Sequence, residues 1–130
     1  MKKEQLKALL GVVKGNVSPD TVIRNGKIIN VFTNEIQKGL MVVVKDGFIA
    51  SIEEDRDVPA YGQSPVIDAK GQYLCPGFVD AHTHLDAVYT FDKFVPYALQ
   101  GGTTTVVTEL TMIGTSCGMD ALLAYIESTK

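Results

Sequence analysis

Two dipeptides punctuate the first half of the chain: Asn25-Gly26 between TVIR and KIINVF, and Asp46-Gly47 between GLMVVVK and FIASIE. Asn-Gly and Asp-Gly supply the positive φ angles that two-residue hairpin turns demand, so two β-hairpins are predicted here. A further strand, VIDAKGQYL, is turned at Lys70-Gly71. Together these segments predict a small antiparallel sheet or half-sandwich from Thr21 to about Tyr73. The charged and then Pro-, Gly- and Ser-containing stretch Glu53 to Pro65 reads as a surface loop.

The N-terminal MKKEQLKALLGVVKG reads as an amphipathic helix with Leu6, Leu9, Leu10 and Val13 on one side. Its apolar run, Ala8 to Val13, is too short for a secretion signal or a membrane span. A net charge of −3, with both signs interleaved, offers no basic stripe. Neither nucleic acid nor membrane is expected as a partner. Cys75 and Cys117 lack CxxC spacing and read as free thiols, which points to the cytoplasm.

After Cys75-Pro76-Gly77 the pattern becomes strand, helix, strand, helix. FVDAH is a brief apolar strand. Thr90 to Gln100 carries Phe91, Phe94, Val95, Ala98 and Leu99 at helical spacing, with a kink or a later start expected at Pro96. GGTTTVVTEL stops that helix and enters a β-branched strand. MDALLAYIESTK begins a further helix with Leu122, Leu123 and Ile126 facing inward. This is the rhythm of parallel βα units, whose strands end at a rim where ligands bind.

Both histidines of the chain, His82 and His84, fall at such a strand end, flanked by Asp80 and Asp86. Residues i and i+2 of a strand share a face, so the two imidazoles can address one point. By itself the pair reads either as two exposed histidines or as a site for zinc, iron or manganese. The Pro-Gly punctuation, the carboxylates and the rim position favour the metal. GGTTTVV has no phosphate-cradling frame. Met112 and Met119 read as core fillers, and Cys117 has no nearby histidine to activate it as a nucleophile. The H-x-E and P-C-x-x-C pattern of the cytidine-type zinc deaminases is absent.

Taken in order, NGKIINVFT, VKDGFIASI, VIDAKGQYLCPGFVDAHTHLD and GGTTTVV resemble the N-terminal portion of the amidohydrolase superfamily. Within it the likeness is greatest to bacterial and archaeal adenine deaminases, and it covers the chain from about Leu6 to Gly118. The resemblance implies an α/β fold in which a small β-sandwich accompanies a metal-dependent (β/α)8 barrel. Residues 1–19 are then an N-terminal helix, 20–75 a share of the sandwich, and 76–130 the start of the barrel. It further implies that His82 and His84 bind a divalent metal, manganese, iron or zinc. Asp86 and Glu109 are candidates for catalysis, the metal's outer shell or substrate contact, and Asp80 could orient an imidazole.

There are two departures from the adenine deaminase pattern. Asp86 stands where those enzymes carry Glu, and Glu109 to Met112, ELTM, stands where they carry DPHE. The implied activity is hydrolytic deamination of adenine to hypoxanthine and ammonia. The alternatives are hydrolysis of another amide or cyclic amide, as in dihydroorotase-like enzymes, or a non-catalytic piece that assembles with a partner chain. The expected ligand is a small molecule, a purine base or cyclic amide. A (β/α)8 barrel needs ~250 residues, and Phe78 to Lys130 supplies about two of its eight units. The expectation is therefore a truncated barrel, inactive alone, that belongs to a longer polypeptide or to a homo-oligomer.

Overall fold

The computed structural model describes residues 1–87 and 89–129, which divide into two compact units, Met1–Cys75 and Pro76–Lys130. The first unit opens with helix α1, Lys3–Val13. Its buried side differs from the predicted one. Val12 is fully enclosed, whereas Leu6, Leu10 and Val13 are exposed. Of the predicted stripe only Leu9 is half-buried, and the buried side is rotated toward Val12, which packs with Val22, Met41, Val43 and Tyr61 into the core of this unit.

Seven strands follow: β1 Thr21–Arg24, β2 Lys27–Asn30, β3 Glu35–Gln37, β4 Leu40–Lys45, β5 Phe48–Glu54, β6 Val66–Asp68 and β7 Tyr73–Leu74. They form a four-stranded sheet, β5-β4-β1-β6, and a three-stranded sheet, β3-β2-β7. The Asp46-Gly47 turn is a hairpin as predicted. Both residues have positive φ, 51° and 76°, and β4 pairs antiparallel with β5 through Lys45 and Phe48.

The Asn25-Gly26 hairpin is not formed. Asn25 has the expected positive φ of 63°, but β1 and β2 enter different sheets. The dipeptide is a corner. A second corner at Lys70-Gly71, also with positive φ, carries β6 into β7 alongside it, so β1 pairs parallel with β6 and β2 parallel with β7. The corners are stitched by Ala69 N–H to Arg24 O, Gly71 N–H to Asn25 O and Lys27 N–H to Gln72 O, at 2.7–2.9 Å. Asp55 braces them from outside, accepting from Arg24 Nε and from the Asn25 N–H. The predicted antiparallel sheet is thus corrected to two mixed sheets. Gly26 does not share the positive φ of Asn25, so the two-residue hairpin turn is not made there, and the partner strands carry the chain round a corner instead. The hairpin that does leave β2 is β2–β3, with Asn34 at φ 56°. Within the predicted surface loop, Pro59–Tyr61 forms a 3-10 turn and buries Tyr61, whose hydroxyl donates to Glu53.

The second unit contains β8 Phe78–Thr83, α2 Phe91–Gln100, β9 Thr103–Thr108 and α3 Thr111–Glu127. β8 and β9 pair in parallel, as the strand–helix–strand rhythm requires. They form a two-stranded sheet rather than a closed barrel. α2 runs through Pro96, so the later start does not occur, and Leu99 is exposed. α3 begins eight residues before Met119, the start expected from the sequence, and breaks at Gly118, whose φ/ψ of 79°/−175° is non-helical. Leu123 and Ile126 are exposed, contrary to expectation, while Leu122 and Tyr125 are half-buried. Among the described residues no helix is long and apolar enough to cross a membrane.

Candidate metal centre

β8 delivers His82 within the strand and His84 immediately after it. With Thr83 between them turned to the other side, the two Nε2 atoms approach to 3.1 Å, with rings inclined at 72°. Two nitrogens bound to one ion at about 2.0–2.1 Å are separated by about 2.8–3.4 Å across octahedral and tetrahedral geometries. The pair therefore already has the spacing of two ligands on a shared cation. Both rings are exposed.

Glu109 completes the group. The parallel register carries β9 out beside β8, and the Glu109 N–H donates to the Thr83 carbonyl at 3.0 Å. Ligand atoms of His82, His84 and Glu109 all lie within 4.8 Å of one another. The Glu109 carboxylate also accepts from the Thr111 hydroxyl at 3.4 Å. Two imidazoles and a carboxylate are a donor set that suits zinc, iron or manganese.

The other acidic candidates lie elsewhere. Asp80 accepts from the backbone N–H of His82 at 3.1 Å, a bond that shapes the strand end rather than orienting an imidazole ring. Asp86 is turned away from the cluster. Its Oδ2 accepts from the Ile113 N–H at 3.0 Å, one of the amides that the first turn of α3 leaves without an intrahelical partner. Its Oδ1 is shielded from solvent without a hydrogen-bond partner among the described residues, and so is the Tyr125 hydroxyl. Burial, and then the nearby Asp86 charge, push the Tyr125 phenol above its ordinary range. Nothing in the sequence marked Ile113 or Tyr125, because a backbone amide and an ordinary helical tyrosine carry no motif.

A separate cleft lies in the first unit. It has a volume of about 380 Å³ and is lined by Val22, Arg24, Met41, Val58, Tyr61 and Val66 among others. Its Arg24 is engaged by Asp55 and Asp57, which hold the guanidinium in its charged form.

Residues 65–112 match the model of the amidohydrolase family. Adenine deaminase 2 of Desulfotalea psychrophila is 36% identical over the whole chain and 22% of its own length. Adenine deaminase of Moorella thermoacetica is 38% identical over 98% of the chain and 21% of its own length. The chain thus spans about a fifth of these curated relatives. Among solved structures, N-acyl-D-glutamate deacylase of Bordetella bronchiseptica, complexed with zinc and a phosphonate inhibitor, superimposes with a TM-score of 0.56. It is 31% identical, over 70% of this chain and 18% of that one. Molinate hydrolase, at 19% identity, shares the fold with a TM-score of 0.55 over 80% of this chain and 27% of that one.

Proposed function

Because this chain belongs to the amidohydrolase superfamily, we propose that it carries the first metal ligands of a hydrolase that deaminates adenine to hypoxanthine and ammonia. The observation that carries this reading is the convergence of His82, His84 and Glu109 within 4.8 Å, in a chain that aligns along its whole length with proteins named adenine deaminase. Their presence in such a group supports His82 and His84 as ligands to zinc, iron or manganese. When bound, such an ion supplies a water that ionises near neutral pH.

The residues of the chain then divide the work. Two neutral imidazoles hold the ion without adding charge. Glu109, tied by its backbone to Thr83, completes the ligand set or moves a proton from the attacking water to the departing amine. In the net reaction carbon 6 of the purine gains the oxygen of water and loses its amino group as ammonia. Asp86 takes no part in the proton transfers, since its oxygens face Ile113 and Tyr125.

On this reading β8 and β9 are the first two strands of a (β/α)8 barrel, residues 20–75 are a share of the accompanying sandwich, and 1–19 are the helix that precedes it. Phe78, Val79 and Val107 are exposed on the strand pair, which supports completion of the sheet by further strands, from a longer polypeptide or from other copies. The chain has no third histidine, so these residues alone are expected to be inactive. The exposed free cysteines suit a cytoplasmic setting. A second reading, hydrolysis of an amide, is supported by the likeness to the deacylase.

The test is metal binding by the full chain, followed by ammonia release from adenine and from a cyclic amide by a polypeptide that supplies the remaining strands. Stoichiometric binding of zinc, manganese or iron, lost in His82→Ala and His84→Ala, is expected. Absence of binding in the wild type would overturn the catalytic reading and leave a non-catalytic assembly module.

A further inference from the structure

Asp86 is a candidate for the chemistry by its place in the sequence, but its contacts give it a different role. We infer that Asp86 is a positioning residue that locks the histidine-bearing end of β8 to the glutamate-bearing end of β9. This rests on the metal reading above and adds to it the way the ligand geometry is kept.

Three ties join the two strand ends. The Glu109 N–H donates to Thr83 O at 3.0 Å. The Leu85 N–H donates to Thr108 Oγ1 at 3.2 Å. Asp86 Oδ2 accepts from the Ile113 N–H at 3.0 Å. The first two act between residues next to one another across the strands. The third reaches past the site to the first turn of α3, four residues beyond Glu109, and together with the Leu85 bond holds the segment after His84 in place. Leu85, between His84 and Asp86, is only 4% exposed, so the segment is pinned on two consecutive residues.

Chemistry supports a carboxylate in this place. The start of α3 has no side-chain cap of its own, since Leu110 occupies the cap position. Asp86 supplies from another element the acceptor that a capping residue would provide, and its negative charge sits at the positive end of the helix. Its second oxygen, buried beside Tyr125, finds no hydrogen-bond partner among the described residues. Outer partners that orient metal ligands commonly govern metal affinity by about 10- to 100-fold.

The test is titration of the full chain with Co(II), followed by its visible ligand-field spectrum, for wild type, Asp86→Ala and Asp86→Asn. Asp86→Ala should bind Co(II) about 10- to 100-fold more weakly with an altered spectrum. Asp86→Asn keeps an oxygen for the Ile113 N–H and should restore both affinity and spectrum. Wild-type binding and spectrum in Asp86→Ala would overturn the inference. So would a folded Asp86→Asn that has lost the metal, because the charge itself would then be required. Should Asp86→Ala not fold, Asp86→Asn decides the matter alone. Failure of the wild type to bind Co(II) would instead overturn the metal reading.

Discussion

Gly77 and Thr104 approach so closely that a Cβ built on the glycine would lie 2.7 Å from the threonine Cβ, and would collide with its hydroxyl and methyl as well. Gly77 immediately precedes β8 and Thr104 belongs to β9, so one missing side chain sets how near the site-bearing strands begin. Gly77→Ala is expected to cost about 1–3 kcal/mol, the usual range for overpacking. Adding Thr104→Ala should return only part of the loss in a denaturant titration, because its Cβ stays in the way. A Gly77→Ala chain as stable as wild type would mean that the strands part freely.

The two Gly-containing turns of the first unit should respond differently to alanine. At Gly47, with φ 76° and nothing within 4 Å of an added Cβ, the cost is the left-handed backbone alone, about 1–2 kcal/mol. At Gly26 the added Cβ meets Leu74 Cδ1 at 2.6 Å, so the cost is a collision between the first corner and β7. A double-mutant cycle with Leu74→Ala should therefore show coupling for Gly26→Ala and none for Gly47→Ala. Equal behaviour would argue that residues 25 and 26 form an ordinary hairpin turn.

Tyr125→Phe should leave stability unchanged or raise it. The hydroxyl it removes is buried and has no hydrogen-bond partner among the described residues, a state that costs about 1–3 kcal/mol when a polar group is left unpaired. Thermal unfolding of the variant provides the check. A fall in midpoint would reveal that the hydroxyl is engaged after all.

The Asp20–Lys45 pair, 2.6 Å apart, sets an acid limit on the hairpin. The Lys45 ammonium, and next the Asp46 N–H, hold the Asp20 carboxyl below its ordinary range, and Asp20 in turn raises Lys45. A depressed folded-state pKa means that the contribution of Asp20 is present above the unfolded value of about 3.9 and is lost as pH falls through the lower folded value. For Lys45 the sign reverses: its contribution is present below the unfolded value of about 10.4 and fades as pH rises through the raised one. Asp20→Asn should accordingly flatten the acid limb of stability against pH, measured by denaturant midpoints from neutral pH downward. An unchanged acid limb would show that other carboxylates carry it.

What the residues alone determined is local. Backbone conformation follows from side-chain sterics within a few positions, so the positive φ values at Asn25 and Asp46 and the hairpin at Asp46-Gly47 could be read directly. The alternation that brings His82 and His84 to one face is likewise intrinsic to a strand. The strand–helix–strand rhythm likewise carried the expectation of parallel order for β8 and β9. Tertiary structure decided whatever depends on a partner distant in sequence. Asn25-Gly26 became a corner because β6 and β7 run beside β1 and β2. Val12 rather than the leucine stripe was buried because the sheet presents Val22 and Val43 to that side of α1. Glu109 joined the histidines, and Asp86 left them, because a backbone bond at Thr83 and an unpaired amide at Ile113 drew the two carboxylates in different directions. A carboxylate's identity can be read from the chain; the group that satisfies its charge is set by what folding brings within about 3 Å of it.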